Sequence, residues 1–293
     1  MSSICGSPVC AGGKPKLKFT YTGDYVVRDD GVVELHSSGT LVFLDPAVID
    51  IFCVGGGGSG GNVSTSDYTA QIAAGGGGAG YCKTAKKISV SGSYAITVGA
   101  GGLNTQNSVY QGTKQYGGAS SFGSLVSAGG GMSAYYGFVG GQYDYSRGAG
   151  GDGGSGGGSP STGSASTLGP GGSDGADGGQ GTKNVPGSGA GTTTREFGES
   201  NGKLYAGGGG GGLSALSDTT IYSQGGQGGG GHGGWVGKNE SLSIAPENGE
   251  ANTGGGGGGM AAFKVSSQMI YYSGGQFRGG NGGSGIVCFR ASA

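Results

Sequence analysis

In the first hundred residues, hydrophobic positions fall into short runs set apart by turn residues. Leu17–Tyr21 (LKFTY), Val32–His36 (VVELH) and Thr40–Phe43 (TLVF) are rich in β-branched and aromatic side chains, with Thr22-Gly23-Asp24, Asp30-Gly31 and Ser37-Ser38-Gly39 between them. That alternation of runs and turns predicts short strands. Asp45-Pro46 suits a further turn, and Val48–Val54, interrupted only by Asp50, predicts a central strand that runs straight into Gly55–Gly61. A second block starts at Gly75–Gly78 and continues through Tyr81, Lys83 and Ile88–Val90, a Ser91-Gly92-Ser93 turn and Tyr94–Val98. Ile286–Phe289 predicts a last strand at the far end of the chain. No segment carries the apolar period of an amphipathic helix. The predicted scaffold is all-β.

Composition sharpens this picture. Of 293 residues 81 are glycine, only 11% are charged, and the net charge is -1. So neutral a surface has no bulk attraction for a phosphate backbone or an anionic membrane, and no run approaches the ~18–20 apolar residues of a membrane helix. Neither nucleic-acid binding nor membrane insertion is expected. Ordering this many glycines opposes folding by something on the order of 100 kcal/mol, so their backbone N–H and C=O groups need an organised set of partners.

The phase of the glycines suggests what those partners are. Glycine recurs at every third position at Gly148, Gly151, Gly154 and Gly157, at Gly169, Gly172, Gly175, Gly178 and Gly181, and at Gly225, Gly228, Gly231, Gly234 and Gly237. A polyproline-II-type helix has three residues per turn and no internal hydrogen bonds, so its amides can reach neighbouring helices where only glycine lets backbones approach. These runs predict polyglycine-II helices with one glycine-lined face. The chain then divides into an arm (1–16), a β-scaffold with the first glycine runs (17–131), a glycine-rich region with loops (132–283) and a closing strand (284–293).

Candidate chemistry is sparse. The five cysteines, Cys5, Cys10, Cys53, Cys82 and Cys288, form no CxxC pair, and only His36 and His232 could join them on a metal. No metal site or cofactor is expected, and Cys53 and Cys288 sit in strand-like runs as small buried hydrophobes. MSSICGSPVC has no signal-peptide pattern, so synthesis in a reducing cytoplasm is expected. Asn62 and Asn239 match the glycosylation sequon only as chance matches in a chain without that signal. The Gly-Lys pairs at Lys14, Lys203 and Lys238 lack the Ser or Thr of a P-loop, and GxGxxG matches mean nothing in this composition. Asp152, Asp174 and Asp177 are expected to be solvated turn residues, because the calcium nonapeptide pattern is absent. No Ser–His–Asp set or carboxylate pair stands out, and the chain reads as a non-enzyme.

What remains are aromatics within the glycine-rich half. Tyr135, Tyr136, Phe138, Tyr143 and Tyr145 form one cluster, Trp235 stands near His232, and Tyr271, Tyr272 and Phe277 form another. Such rings either seal the rims of a glycine bundle or act as a binding surface, since Tyr and Trp give rigid amphipathic contact at low entropic cost.

The order of blocks resembles a known family. It comprises Ser38-Gly39-Thr40-Leu41-Val42-Phe43 leading to Val54-Gly55-Gly56-Gly57-Gly58, GGGGAGY at Gly75–Tyr81, ITVGAGG at Ile96–Gly102, a GGxSSFG segment at Gly117–Gly123, and GGSGIV at Gly282–Val287. Together these resemble the glycine-rich domain of phage and prophage tail-fibre and adhesin proteins, and more distantly the glycine-rich region of anaplastic-lymphoma-kinase-type receptors. The resemblance implies a jelly-roll-like β-sandwich carrying a bundle of polyglycine-II helices, whose free-end loops touch the host surface. The function expected from it is a virion tail protein that binds a bacterial surface glycan or protein through the nine aromatics above, with residues 1–16 docking on other tail proteins. The alternative expectation is a purely structural virion or filament subunit whose glycine packing gives rigidity.

Overall fold

A computed structural model of the chain describes residues 17–64, 71–104, 115–134, 137–138, 149–162, 168–180, 188–189, 193–215, 222–237, 243–265, 268–271 and 278–293. The arm at 1–16, with Cys5 and Cys10, lies outside them. The strands, numbered β1 to β17 along the chain, fall into one large sheet and three small ladders.

The large sheet is antiparallel. It contains β1 (Phe19–Tyr21), β2 (Tyr25–Val27), β3 (Val33–Leu35), β4 (Gly39–Val54), β7 (Cys82–Thr97), β8 (Ser120–Phe122), β9 (Val126–Ala128) and β17 (Ile286–Ala291), in the order β2-β3-β17-β4-β7-β8-β9 with β1 also on β4. The turns expected at Asp45-Pro46 and Ser91-Gly92-Ser93 do not break the chain into separate strands. Instead β4 and β7 run through them as one long ribbon, with a register shift between Phe43 and Ala47 and the left-handed Gly92 (φ 73°) opposite Phe43. Proline is tolerated here because the ladder is already interrupted. Before the bulge β4 pairs with β1, and after it with β17. The halves fold over one core, in which Phe289 of β17 meets Phe43 at 5.8 Å and Phe122 at 6.1 Å between ring centroids. Leu41, Phe43, Ile49, Ile51 and Cys53 alternate into this sandwich core, while Phe52 and Val54 face the opposite side. Period-two alternation thus gives the sheet two buried faces.

The sheet does not end where glycine begins. Val54 pairs with Cys82 and Ile286. The next bonds, from the Gly55 N–H to the Tyr81 carbonyl (3.0 Å) and from Gly57 to Gly283 (2.9 Å), keep both registers. Beyond this point the repeat changes from two residues to three. Gly58 and Gly61 donate to Gly78 and Gly75, Gly60 donates to Gly280, and Gly56 and Ser59 donate to Gly118 and Gln115. In the other direction Gly131 and Ala134 donate to Gly56 and Ser59, Gly257 and Met260 to Gly58 and Gly61, and Gly102 to Gly57. Segment 55–61 is therefore ringed by 75–81, 115–118, 279–283, 129–134, 254–260 and 99–102. Segments 75–80, 207–212 and 254–260 are buried and bonded in the same way.

The expected in-phase helices are a different matter, because each run folds back on itself. Gly157 donates to Gly151 at 2.8 Å, Gly179 to Pro170 at 2.7 Å and Gly230 to Gly226 at 3.1 Å. The reversals fall at 153–155, at Asp174 and Gly175 (φ 52° and 82°), and at Gly228 and Gly229 (φ 96° and 95°). Gly175 and Gly228 are thus turn glycines, whereas a Cβ on Gly169, Gly172, Gly178, Gly225 or Gly231 would strike neighbouring backbone. At Gly234 it would meet the Pro246 ring at 3.0 Å, and Gly148 and Gly181 lie outside the described residues. The uninterrupted segments are the ones with no triplet signal, since a strand packed on every side needs glycine in every phase. The bundle also draws on the chain both before and after residue 131, so in space it is one body.

Candidate functional site

Polarity along the bundle places its ends. Gly55, Tyr81, Ala206, Gly254 and Gly285 stand next to the sheet, and Gly61, Gly75, Gly212, Met260 and Gly279 stand at the far end. Three small ladders close that far end. They are β5 (Val63–Ser64) with β10 (Gly137–Phe138), β6 (Gln71–Ala73) with β15 (Ala261–Val265) and β16 (Gln268–Tyr271), and β11 (Ser161–Thr162), β12 (Leu213–Ser214), β13 (Trp235–Val236) and β14 (Ser243–Ile244). The described residues that flank 65–70, 105–114, 139–148, 163–167, 216–221, 238–242 and 272–277 all lie at this end.

The expected binding aromatics distribute accordingly. Tyr135, Tyr136, Tyr143, Tyr145, Tyr272 and Phe277 lie outside the described residues. Phe138 stands in β10 opposite Ser64, and Tyr271 in β16 opposite Ala262. The structure removes Trp235 from any binding surface. It is 0% exposed and packs with Leu213 and Ala215 in a small apolar cluster that Leu168, Tyr222 and Ile244 flank. Among the described residues its indole N–H has no hydrogen-bond partner. His232, expected beside it, instead accepts the Gly225 N–H at Nδ1 (3.1 Å) and stacks edge-on to Tyr222.

One exposed apolar feature was not anticipated. Gly118 donates to Ala100 and Gly117 to Gly131, so segments 99–104, 115–118 and 129–134 are successive neighbours on one flank. Leu103, Tyr116 and Met132 are exposed on them, at 60%, 51% and 41%. A lone Leu or Met after a glycine run gives no sequence signal that it is exposed on neighbouring segments.

The densest polar chemistry lies at the sheet end, on residues 193–206. This stretch is a small hairpin, with Glu196 N–H bonded to the Lys203 carbonyl (2.9 Å) and Tyr205 N–H to Thr194 (3.2 Å), and it turns through a single 3-10 turn at Glu196–Gly198. It lies on the outer face of the sheet, where Phe197 and Tyr205 pack on Phe52 with centroids 6.0 and 5.4 Å away. Arg28 holds Glu196 through two bonds (2.9 and 2.8 Å), and also Glu34 (3.0 Å) and Asp30 (2.7 Å). Tyr205 Oη donates toward Glu196 at 3.3 Å, and His36 Nε2 lies 3.2 Å from Glu34. Arg290 lies over the Phe197 ring at 4.1 Å and binds Asp50 (3.3 Å) and Glu199 (3.2 Å). Asp50 further accepts the Ser292 hydroxyl and the Lys87 N–H.

These surroundings decide the chemistry. Burial works to raise the pKa of Glu34 and Asp50, but hydrogen bonds from His36 and Arg28, and from Lys87, Ser292 and Arg290, outweigh it and leave both lowered. A carboxylate held ionised by a guanidinium is a poor general acid. Burial raises the Cys53 thiol to about 12 and pushes Cys288 well up, so neither is a ready nucleophile. Among the described residues no group of three His, Cys, Asp or Glu is placed to hold a metal. The aspartates expected as solvated turn residues also fasten chain. Asp174 accepts from Thr193 (2.8 Å) and Arg195 (2.9 Å), Asp152 from the Ser188 N–H (2.7 Å), and Asp177 from Gly189. The site at the sheet end is a fastening. The far end of the bundle carries the three small ladders.

Residues 36–292 match the family described as the glycine-rich domain. No curated protein matches the chain.

Proposed function

The chain belongs to the glycine-rich domain family, and we propose that it is a non-catalytic receptor-binding protein of the phage or prophage tail type. In this reading the sandwich faces the particle, the glycine segments are polyglycine-II helices forming a stiff stem, and the far end meets a glycan or protein on a bacterial surface. One observation supports it above all. The described neighbours of both aromatic clusters, Ala134 and Gly150 around one and Tyr271 and Gly279 around the other, lie at the same end of the bundle, opposite the sheet. Tyrosines in polar and glycine-rich surroundings make adaptable contact surfaces. The chain would be made in the host cytoplasm and carried on the virion, with residues 1–16 on a neighbouring tail protein.

The test is binding of the fluorescently labelled full chain to a panel of bacterial strains and their envelope fractions. The expected result is saturable binding to some strains, lost on combined Tyr135→Ser, Tyr136→Ser, Tyr143→Ser and Tyr145→Ser exchange while the melting temperature holds. Absence of binding throughout the panel, or binding indifferent to these exchanges and to Tyr271→Ser with Tyr272→Ser, would overturn it. The packing of glycine segments on every side supports the other reading, a structural virion subunit. That reading expects no surface binding and loss of particle assembly instead.

A further inference from the structure

We propose that residues 193–206 are a strap with two states, closed over the outer face of the sheet by paired charges and able to lift from it while the rest of the fold stays intact. Two arginines on the sheet side hold the strap in the same way. Arg28, which follows β2, binds Asp30 and Glu34 on the sheet side and Glu196 from the strap. Arg290 binds Asp50 from the sheet and Glu199 from the strap. Between these clamps the strap covers Val32, Phe52, Ile286 and Cys288, and only Phe197, Tyr205 and Ala206 give it apolar anchorage there.

The second observation is where the backbone is strained. Among the described residues the non-glycine positions in the left-handed region are Lys87, Asp174, Phe197, Ala206 and Asn252. Phe197 (φ 52°) is the turn of the strap and Ala206 (φ 53°) its junction with segment 207–212. Lys87 gives its N–H to Asp50, the carboxylate that shares Arg290 with Glu199. Asp174 binds Arg195 at the start of the strap, and Asn252 precedes Thr253, whose carbonyl takes the Ala206 N–H at 2.8 Å. Strained backbone of this kind persists only where its surroundings hold it, and it collects at elements that switch. Phe197 and Ala206 lie in the hairpin itself and Asp174 binds it directly, and its closure depends on charge pairs that can be neutralised one at a time.

The cysteines give a direct readout. Cys288 lies under the strap with Cys82 beside it, while Cys53, in the same sheet, faces the sandwich core on the other side. The full chain is incubated with a maleimide under native conditions, and labelling of each cysteine is followed by peptide mass spectrometry. If the strap lifts, Cys288 labels at least tenfold faster than Cys53. Glu196→Gln and Glu199→Gln each raise the Cys288 rate severalfold and leave Cys53 unchanged. Ala206→Gly, which relieves the left-handed strain without removing a charge, lowers the Cys288 rate. Equal rates at Cys288 and Cys53 would mean that the face is uncovered only by global unfolding and would overturn the proposal. So would a fast Cys288 rate that neither glutamine exchange alters. Should either variant lose its fold, circular dichroism would show it, and the comparison of Cys288 with Cys53 in the unaltered chain still decides.

Discussion

Gly257→Ala tests how the bundle is held. The added Cβ would lie 2.6 Å from the Asn281 carbonyl oxygen and closer still to that of Gly280, where ordinary contact begins at 3.4 Å. Segment 279–283 would have to retreat by at least ~0.8 Å, since close-packed backbone has no flexible end to give way. Two bonds cross that boundary, Gly280 to Gly258 (2.7 Å) and Gly283 to Gly255 (2.8 Å), and the same retreat pulls on a third, from Gly60 to Gly280 (2.9 Å). At roughly 0.5–1.5 kcal/mol each they outweigh the ~0.4–1 kcal/mol that Gly→Ala gains through the unfolded chain. The net expectation is a loss of about 1–4 kcal/mol, and more where a buried carbonyl is left unpaired. At roughly 2–4 °C per kcal/mol, mid-range values lower Tm by roughly 5–10 °C. Gly255→Ala and Gly256→Ala should cost similar amounts, because their Cβ atoms would strike two other neighbours, at Gly229 and Gly77. Gly129→Ala is the control, since its Cβ meets only Tyr81 Cδ2 at 3.6 Å, and it should be neutral or slightly stabilising. Urea unfolding of the four variants checks this. If Gly257→Ala and Gly129→Ala unfold at the same midpoint, the packed three-residue lattice is refuted.

Trp235→Ala empties a fully buried site and should cost roughly 3–5 kcal/mol, and emission from this sole tryptophan should be blue-shifted in the intact chain and red-shift on unfolding. An exposed-type spectrum for the folded chain would contradict the burial. Arg28→Met strips Glu34 and Glu196 of their shared cation and should cost about 3 kcal/mol, the low end for a broken buried pair because Arg28 keeps 26% exposure, as read from the urea midpoint. For pH, the folded pKa values of Glu34 and Asp50 are lowered from 4.5 and 3.8, so the unfolded chain binds protons more readily. Their stabilisation is therefore complete well above those values and is lost as pH falls through the lower folded ones. Urea midpoints should hold from pH 7 to 6 and fall steadily below about pH 4. A midpoint unchanged or rising down to pH 3 would be inconsistent with these carboxylates.

Strand content was legible because it rests on local pattern. Val48–Val54, Tyr94–Thr97 and Ile286–Phe289 all stand in the sheet, for alternation and β-branching are properties of neighbouring residues. Turn chemistry misled at Asp45-Pro46, where a change of partner rather than a chain reversal accommodates the proline. Glycine phase misled more deeply. A triplet period marks one packed face, but Gly55–Gly58 are packed on every face and so show no period at all. The strap clamps were invisible, since Arg28 and Glu196 are 168 residues apart and neither belongs to a recognisable motif. Trp235 looked like a binding residue because glycine surrounds it in sequence, although in space it is buried in an apolar cluster with Leu213 and Ala215.

The change from a two-residue to a three-residue repeat at Val54 and Gly55 constrains how such a molecule can vary. Removing one residue from 55–61 would turn its donors by a third of a revolution, each toward the wrong neighbour. Removing three would restore every direction and shorten the stem by ~9 Å, provided the surrounding segments lose a turn as well. The stem can thus change length only in matched, quantised steps.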